Sequence, residues 1–175
     1  MRRKFMFLWL GLAILDCLGR SQSVGGTPSQ QSSEGSGLEQ NKILVRRWIE
    51  EGFNKRDLKI VDELFVEDFS VNGRKIGREG LKQSMSQRFT AFPDLHVTIT
   101  ELLAERDTVV IWYTAKGTQR GEFEGVRPTG KPVSWIGADL LRVENGKIVE
   151  AHFLDDSLGL MRQLGATLSP APVQK

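Results

Sequence analysis

The sequence predicts an α+β domain in which helices pack on one face of a curved antiparallel sheet. Helical periodicity is confined to the first part of the domain, whereas period-two apolar positions follow from residue 95 onward. The segments 133–143 and 147–155 flank Asn145-Gly146, a dipeptide that supplies the positive φ angles of a type I′ hairpin turn. Helices clustered early and strands clustered late favour this fold class. A curved sheet packed on helices encloses a cone, whose open end is a favoured place for a small-molecule site.

Three helices are predicted ahead of the long strands. The first runs from near Leu38 to about Gly52, because apolar residues recur there at helical spacing with charged residues on the other face. Asp57 is suited to be the N-cap of the second helix. The third covers residues 78–92 and stops before Pro93, since the residue before a proline disfavours helical backbone angles.

The remaining segments predict strands joined by short turns. A short strand over 69–71 leads into the Asn72-Gly73 turn ahead of the third helix. Residues 95–105 and 108–116 form the next two strands, and the Asn145-Gly146 hairpin follows them. A closing helical turn begins at Ser157.

The first 23 residues predict a secretory signal peptide. Three basic residues precede an apolar run of about eleven residues, 5–15, which is too short to span a bilayer as a standard helix. We therefore expect export to the periplasm or the medium, with no stable membrane insertion after processing. Lipid attachment at Cys17 is the alternative, although Asp16 replaces the small residue expected before such a cysteine.

Composition sets the domain boundaries and limits the partners. Residues 24–37 are rich in Ser, Gly and Gln and predict a flexible linker, 38–166 the folded domain, and 167–175 a disordered tail. Residues 1–37 hold four of the 24 basic and two of the 22 acidic residues, which leaves 20 of each in the remainder. This neutral balance argues against a nucleic-acid surface. Cys17 is the single cysteine, so the chain forms no intramolecular disulfide.

Polar side chains cluster where the last strand ends. Because alternate residues of a strand share a face, His152 faces the pocket if Asp156 does, and Asp155 then faces away. At ~3.3 Å per residue the Cα atoms of His152 and Asp156 would lie about 13 Å apart. This distance would allow the two side chains to contact opposite ends of one ligand. The alternatives are that Asp156 caps the closing helix, that His152 is a core histidine, and that Asp155 is solvated or salt-bridged.

Aromatic residues could wall a pocket around a carboxylate. Such a wall removes water from the carboxylate and raises its pKa toward neutrality, as general acid/base work requires. The predicted wall consists of Trp48, Phe69, Phe89, Trp112 and Trp135. Asp139 shares a face with Trp135 and is either a second pocket carboxylate or an exposed sheet residue paired with a basic neighbour.

Other site chemistries lack their sequence requirements. Residues 125–131 have the spacing of a phosphate-binding loop, but Pro132 stands where the magnesium-binding hydroxyl belongs and a strand follows. Two histidines and one cysteine offer no spacing typical of a metal site. No Ser-His pair lies in a recognisable nucleophile elbow.

Four segments match the pattern of a known family: NKILVRRWIEEGFNKRDLKIVDELFVEDF, GREGLKQ, FPDLHVTITELLAERDTVV, and the stretch 117–166 that ends in DDSLGLMRQLGA. They resemble the SnoaL-like polyketide cyclase, or ester cyclase, family over about residues 38–166. The resemblance implies the nuclear transport factor 2-like fold, a cone-shaped α+β barrel. It also implies an intramolecular aldol-type ring closure of a polyketide ester, run by acid-base chemistry without a metal or an organic cofactor.

The resemblance assigns roles to particular residues and shows where this chain departs. The family's acid/base carboxylate lies in a D-x-L-G turn, which here is Asp156. His152 stands where the family commonly has tryptophan, and Gln119 ends a motif that commonly reads G-T-H. We therefore expect Asp156 and His152 as the catalytic pair, with Gln119 among the pocket residues.

Three functions are compatible with these patterns. The leading hypothesis is an exported acid-base enzyme that acts on a small hydrophobic carbonyl or polyketide-like compound. The second is a non-catalytic protein that binds a small apolar ligand in the same pocket. The third is a scaffold that dimerises through the open face of its sheet.

Overall fold

A computed structural model describes residues 28–166 of the chain, and their side chains from Gly35 onward. The predicted signal peptide, Cys17 and the predicted C-terminal tail lie outside these residues. The elements are α1 (Pro28–Arg47), a π-helical segment (Trp48–Asn54), α2 (Ile60–Leu64), β1 (Phe65–Val71), β2 (Arg74–Lys75), α3 (Gly77–Ala91), β3 (His96–Glu105), β4 (Thr108–Thr118), β5 (Pro132–Glu144), β6 (Lys147–Asp155) and α4 (Ser157–Leu164).

The predicted fold class is confirmed, with helices early in the chain and a curved, unclosed sheet of six strands. The strand order is β2-β1-β6-β5-β4-β3, and neighbouring strands are antiparallel except for β1 and β6, which are parallel. The short strand β2 was not predicted, because two residues are too few to show a period. Because β1 and β6 are parallel, the sheet is mixed near the edge that β2 forms.

The first helix begins at Pro28 rather than near Leu38, so the prediction of a flexible linker over 24–37 is wrong from residue 28 onward. Proline is favoured in the first helical turn, because its missing N–H has no partner there in any case. Extending a helix that is already nucleated costs little per residue, even for polar residues. The polar composition of this segment therefore does not exclude a helix.

The helix does not end at Gly52 but continues as the π-helical segment to Asn54. The wider turn allows residues five apart, Trp48 and Phe53, to share a face. Asn54 then anchors this end to the sheet. Its side chain donates a hydrogen bond of 3.0 Å to the Val97 carbonyl and accepts one of 2.9 Å from the Val97 N–H.

The β5–β6 hairpin forms as predicted, with φ angles of 51° at Asn145 and 72° at Gly146. One bulge changes its consequences. Val143 pairs with Ile148, but Arg142 pairs with Glu150, so one extra residue of β6 is inserted between them. A one-residue shift moves every later side chain to the opposite face of the sheet.

The inner face of the sheet, together with the helices, forms the core. In β5 the inward positions are the odd-numbered residues from Val133 to Val143, and the bulge makes Ala151 an inward position in β6. The outer face presents exposed apolar side chains, namely Leu103, Trp112, Ile136, Leu140 and Leu154. No helix in the described part of the chain is long and apolar enough to cross a membrane.

Candidate active site

Three adjacent strands bring Tyr113, Gly137 and Asp155 side by side. Tyr113 of β4 pairs with Gly137 of β5, which in turn pairs with Asp155 of β6. A Cβ atom at Gly137 would overlap the ring and the hydroxyl of Tyr113. Glycine thus leaves the space in which the tyrosine ring crosses β5, so that its hydroxyl reaches Asp155 two strands away.

Asp155 is the most heavily hydrogen-bonded carboxylate of this region. Its Oδ1 atom accepts a hydrogen bond of 2.8 Å from the Tyr113 hydroxyl and one of 2.9 Å from Trp135 Nε1. Its Oδ2 atom forms an ion pair with Arg88 Nη1 at 3.1 Å. The negative charge of Asp155 is therefore matched by a guanidinium and by two neutral donors, although the side chain is only 14% exposed.

Asp139 lies two residues beyond Gly137 on the same face and is 5% exposed. Burial, followed by the charge of Asp155, raises its pKa to about 8, while Arg88 acts in the opposite direction. Its Oδ1 atom lies 3.4 Å from the Tyr113 hydroxyl oxygen, a longer contact than a strong O–H···O hydrogen bond. Near neutral pH Asp139 can therefore both give and take a proton.

Tyr113 links the two carboxylates without being acidic itself. Burial and the neighbouring charges of Asp139 and Asp155 raise its pKa far above the usual value, so the phenol stays protonated. The hydroxyl donates its single proton to Asp155. The phenol oxygen can therefore accept a hydrogen bond from Asp139 when Asp139 is protonated.

Helix α3 supplies the positive charge. Leu81, Ser84, Met85 and Arg88 have the spacing that places them on one face of a helix, and all four line the same cavity. Arg88 is thus the charged end of a stripe that otherwise contains two apolar residues and one serine. Its guanidinium approaches Asp155 from the helix side of the cavity.

Two small adjoining cavities surround these groups. The first has a volume of about 50 Å³ and is lined by Trp48, Phe53, the α3 residues, Tyr113, Asp139, Phe153 and Asp155. The second has a volume of about 20 Å³ and lies toward Trp135 and Leu95, sharing Phe53, Arg88, Tyr113 and Asp139 with the first. Asp139 therefore lies between the two spaces, in mainly apolar surroundings.

The expectation that Asp156 and His152 face the pocket is wrong. Asp156 is exposed, and its carboxylate caps α4 by accepting a hydrogen bond of 2.8 Å from the Gly159 N–H. His152 is also exposed on the outer face, with Nε2 3.8 Å from a carboxylate oxygen of Glu150. The bulge after Ile148 is the physical reason, because it turns Asp155 inward and its even-numbered neighbours outward.

The other predicted pocket residues divide into two groups. Trp48, Trp135 and Asp139 line the cavities. Phe69 is fully buried in the core, Phe89 packs beside Phe53, Trp112 is exposed on the outer face, and Gln119 is buried within its own loop. None of these four is among the residues that line the two cavities.

Sequence reasoning missed Tyr113, Arg88 and the inward position of Asp155. Arg88 had a usable signal, since a basic residue on the apolar face of a predicted helix needs a buried partner. Tyr113 lies at an inner position of β4, and the other inner positions of that strand are aliphatic. Asp155 had no local signal, because only the bulge decides which face it takes.

No group of three or more His, Cys, Asp and Glu side chains within residues 28–166 is arranged to hold a metal ion. The chemistry that these residues can offer themselves is proton transfer at Asp139, with Tyr113, Asp155 and Arg88 setting its electrostatics.

The family model for the SnoaL-like polyketide cyclase matches residues 43–164, from α1 through to the end of α4. The chain belongs to the SnoaL-like polyketide cyclase family. The matched range contains every residue of the site, including Trp48, Arg88 and Asp155.

Solved structures of bacterial proteins are similar to this SnoaL-like chain. One described as a SnoaL-like polyketide cyclase, from Jannaschia sp. CCS1, is 27% identical with a TM-score of 0.69, covering 75% of this chain and 95% of its own. AclR from Streptomyces galilaeus, described as a hydroxylase, is 28% identical with a TM-score of 0.67, covering 75% and 99%. IdmH from Streptomyces antibioticus, described as a polyketide cyclase, is 29% identical with a TM-score of 0.65, covering 73% and 99%.

Among curated proteins, none matches the sequence. The similar structures carry descriptions of two different reactions, so the shared fold does not determine the chemistry of this SnoaL-like domain. The chemistry of this domain therefore depends on its own site residues.

Proposed function

We propose that this SnoaL-like protein is an acid-base catalyst that acts on a small hydrophobic carbonyl compound, with Asp139 as the acid/base. The observation that carries the proposal is the buried position of Asp139 in a mainly apolar cavity beside an ion-paired second carboxylate. Two carboxylates in environments that separate their protonation behaviour are a common arrangement in acid-base enzymes. Asp139 is the member that changes its protonation state, and Asp155 is the member that forms an ion pair with Arg88.

The proposed reaction is a ring closure of the aldol type. The Asp139 carboxylate removes a proton from the carbon next to a carbonyl group, which leaves an enolate. The enolate carbon forms a bond to a second carbonyl carbon of the same molecule, whose oxygen becomes an alkoxide. Protonated Asp139 then returns the proton to that alkoxide, so no co-reactant is consumed.

The neighbours of Asp139 support both halves of this cycle. Burial and the charge of Asp155 make its carboxylate a stronger base than an exposed one. The apolar wall of Phe53, Met85 and Phe153 excludes competing water. A cavity of about 50 Å³ is far below the roughly 300–1,000 Å³ of typical ligand pockets, so the substrate is small or its entry displaces part of the wall.

The test measures exchange of α-protons for deuterium in D₂O by NMR, with cyclohexanone and methyl acetoacetate as probes. The protein should accelerate exchange above the buffer rate, and Asp139→Asn should lower that acceleration roughly 10²-fold or more. Asp156→Asn is the matched control and should keep the wild-type rate. If neither probe shows exchange that depends on Asp139, the proposal is wrong.

A non-catalytic ligand-binding function is the second candidate. It is favoured by the fact that Tyr113, Trp135 and Arg88 all direct their donors to Asp155. Such an internally matched set can serve simply as a rigid floor for an apolar ligand. Saturable binding of the probes without any proton exchange would support this alternative.

We also propose that two copies of the domain pair through the outer face of the sheet. Trp112 and Leu154 flank Ala138 on adjacent strands, and Leu140 lies two residues along β5, so their exposed side chains form one apolar patch. The neighbouring charges are matched within the subunit, since Arg142 pairs with Glu150 at 3.1 Å. An apolar centre with a neutralised edge suits the self-complementary packing of a twofold dimer.

Export remains part of the proposal. The basic residues and short apolar run at the N-terminus support a cleaved signal, with lipid attachment at Cys17 as the alternative. N-terminal sequencing and intact mass measurement of the protein recovered from its native compartment would separate the two, because a lipid-modified chain would begin at Cys17 and carry extra mass.

A further inference from the structure

Trp48 has a polar atom that the fold leaves unused. The side chain is 0% exposed, and its indole Nε1–H has no hydrogen-bond partner among the described residues. Within the described chain only one other buried side-chain atom, Arg142 Nε, shares this condition. A buried donor without an acceptor costs on the order of 1–3 kcal/mol, so its retention calls for an explanation.

The orientation of the indole is fixed by its neighbours. Its six-membered ring lies against Gly52, where a Cβ atom would be 3.1 Å from Cε3 and 3.3 Å from Cζ3. Phe53 and Phe65 pack edge-on against the indole at centroid distances of 5.0 and 4.7 Å. The Nε1 edge is opposite the Cε3–Cζ3 edge in an indole, so Nε1 lies on the side of the ring away from Gly52.

The same indole lines the cavity that contains Asp139. Tyr113 and Trp135 already donate to Asp155, and Arg88 Nη1 is ion-paired with it. Trp48 Nε1–H is the fully buried donor of this cavity lining that has no acceptor among the described residues. An oxygen atom that entered the cavity would meet it in apolar surroundings, where a hydrogen bond is strong.

We propose that Trp48 Nε1–H binds the carbonyl oxygen of the substrate and stabilises the enolate oxygen that forms when Asp139 removes the α-proton. This inference deepens the proposed function, because it assigns the electrophilic partner of the same reaction. It also defines the ligand class as a small, neutral ketone or ester with one carbonyl oxygen directed toward Trp48. A donor held in place before reaction stabilises developing charge without reorganisation.

The experiment follows the indole N–H signals of ¹⁵N-labelled protein during titration with cyclohexanone and methyl acetoacetate. The chain has four tryptophans, so the indole signals are few and can be assigned with Trp→Phe variants. We expect the Trp48 signal to move downfield on saturation, as a new hydrogen bond requires. The control ligand is methylenecyclohexane, which has the shape of cyclohexanone without the oxygen and should leave that signal unshifted.

A substitution pair gives the energetic readout. Trp48→Phe keeps an aromatic side chain and removes the N–H, and it should weaken cyclohexanone binding about tenfold, the value of one good hydrogen bond. Trp112→Phe makes the same change on the outer face and should leave the affinity unchanged. The wild-type titration needs no variant, so it stands even if Trp48→Phe folds poorly.

The outcomes separate this inference from the proposed function. A ketone-specific Trp48 shift without proton exchange supports carbonyl binding by Trp48, but it overturns the catalytic proposal and with it the stabilisation of an enolate. Exchange that depends on Asp139, with no Trp48 shift and no effect of Trp48→Phe on affinity, overturns the inference and leaves the catalytic proposal standing. An equal Trp48 shift with ketone and hydrocarbon, or no shift with either carbonyl probe, also overturns the inference.

Discussion

The Tyr113 hydroxyl donates a hydrogen bond of 2.8 Å to Asp155 across the intervening strand β5, and it can do so because position 137 has no side chain. The hydrogen bond between Tyr113 and Asp155 thus depends on the glycine at position 137 as well as on the two polar residues. Asp139, two residues further along β5, faces the same phenol oxygen at 3.4 Å.

Gly137→Ala should therefore disrupt the site. The added Cβ displaces the Tyr113 ring, and overpacking of this kind costs roughly 1–3 kcal/mol of unfolding free energy. We expect probe exchange to fall, although less than in Asp139→Asn because the base remains, and urea denaturation to show the loss of stability. Gly37→Ala is the matched control, because a Cβ there meets nothing within 4 Å and should leave exchange unchanged. Full exchange by a folded Gly137→Ala variant would contradict the role of the Tyr113 position.

The pH dependence of exchange should report the protonation of Asp139. Proton removal requires its carboxylate, so the rate should rise with pH and level off above a midpoint near 8. Since the charge of Asp155 raises this pKa and that of Arg88 lowers it, Asp155→Asn should move the midpoint down and Arg88→Met should move it up. Circular dichroism of each variant controls for unfolding. Midpoints that move in the same direction would contradict the assignment.

Stability should fall as pH rises through the range in which only folded Asp139 holds its proton. The folded carboxyl titrates near 8 and the unfolded one near the model-peptide value of 3.8. Between these values the unfolded state binds fewer protons, so the contribution of Asp139 to the free energy of unfolding is full below about 4 and declines toward pH 8. Asp139→Asn lacks this decline, and its stability relative to wild type should improve between pH 5 and pH 8.

The measurement is urea denaturation at the two pH values. Asp94→Asn is the control, because the pKa of Asp94 is shifted down whereas that of Asp139 is shifted up. Hydrogen bonds from the Thr118 N–H and hydroxyl hold the pKa of Asp94 below its usual value. The stability that Asp94 contributes is therefore present throughout this range and is lost only in acid. Asp94→Asn should give a similar loss at both pH values, and an equally constant offset in Asp139→Asn would contradict its raised pKa.

Asp156 should act on stability and not on the site. Asp156→Ala removes the cap of α4 and should cost about 1 kcal/mol, whereas Asp156→Asn retains a capping side chain and should cost little. Both variants should exchange probe protons at the wild-type rate. A loss of exchange in folded Asp156→Asn would restore the assignment that the family resemblance favoured.

The contrast between Asp155 and Asp156 illustrates what the sequence could predict. Periodicity and the Asn145-Gly146 turn were sufficient for the long strands, the hairpin and the shared face of Trp135 and Asp139, but they left open whether that face is buried. The face of the residues after Ile148 depends on a single inserted residue, which has no distinctive composition because the backbone there only bends. Uninterrupted alternation from buried Ile148 would have turned His152 and Asp156 inward, as predicted. The roles of Arg88 and Tyr113 could not be predicted either, because they depend on how α3 packs against the sheet and on which residues lie beside β4 on its inner face.

The outer face of the sheet gives the last prediction. If two copies pair there, sedimentation should give a dimer that Leu154→Glu converts to a monomer, because a charge is placed in an apolar interface at a side chain that is 66% exposed in the single subunit. Ile43→Glu is the control, since Ile43 is 57% exposed on α1 and away from this face. Exchange per subunit should persist in the Leu154→Glu monomer, because the Asp139 cavity is lined by residues of one chain. A monomeric wild-type protein, or a dimer insensitive to Leu154→Glu, would contradict pairing through this face.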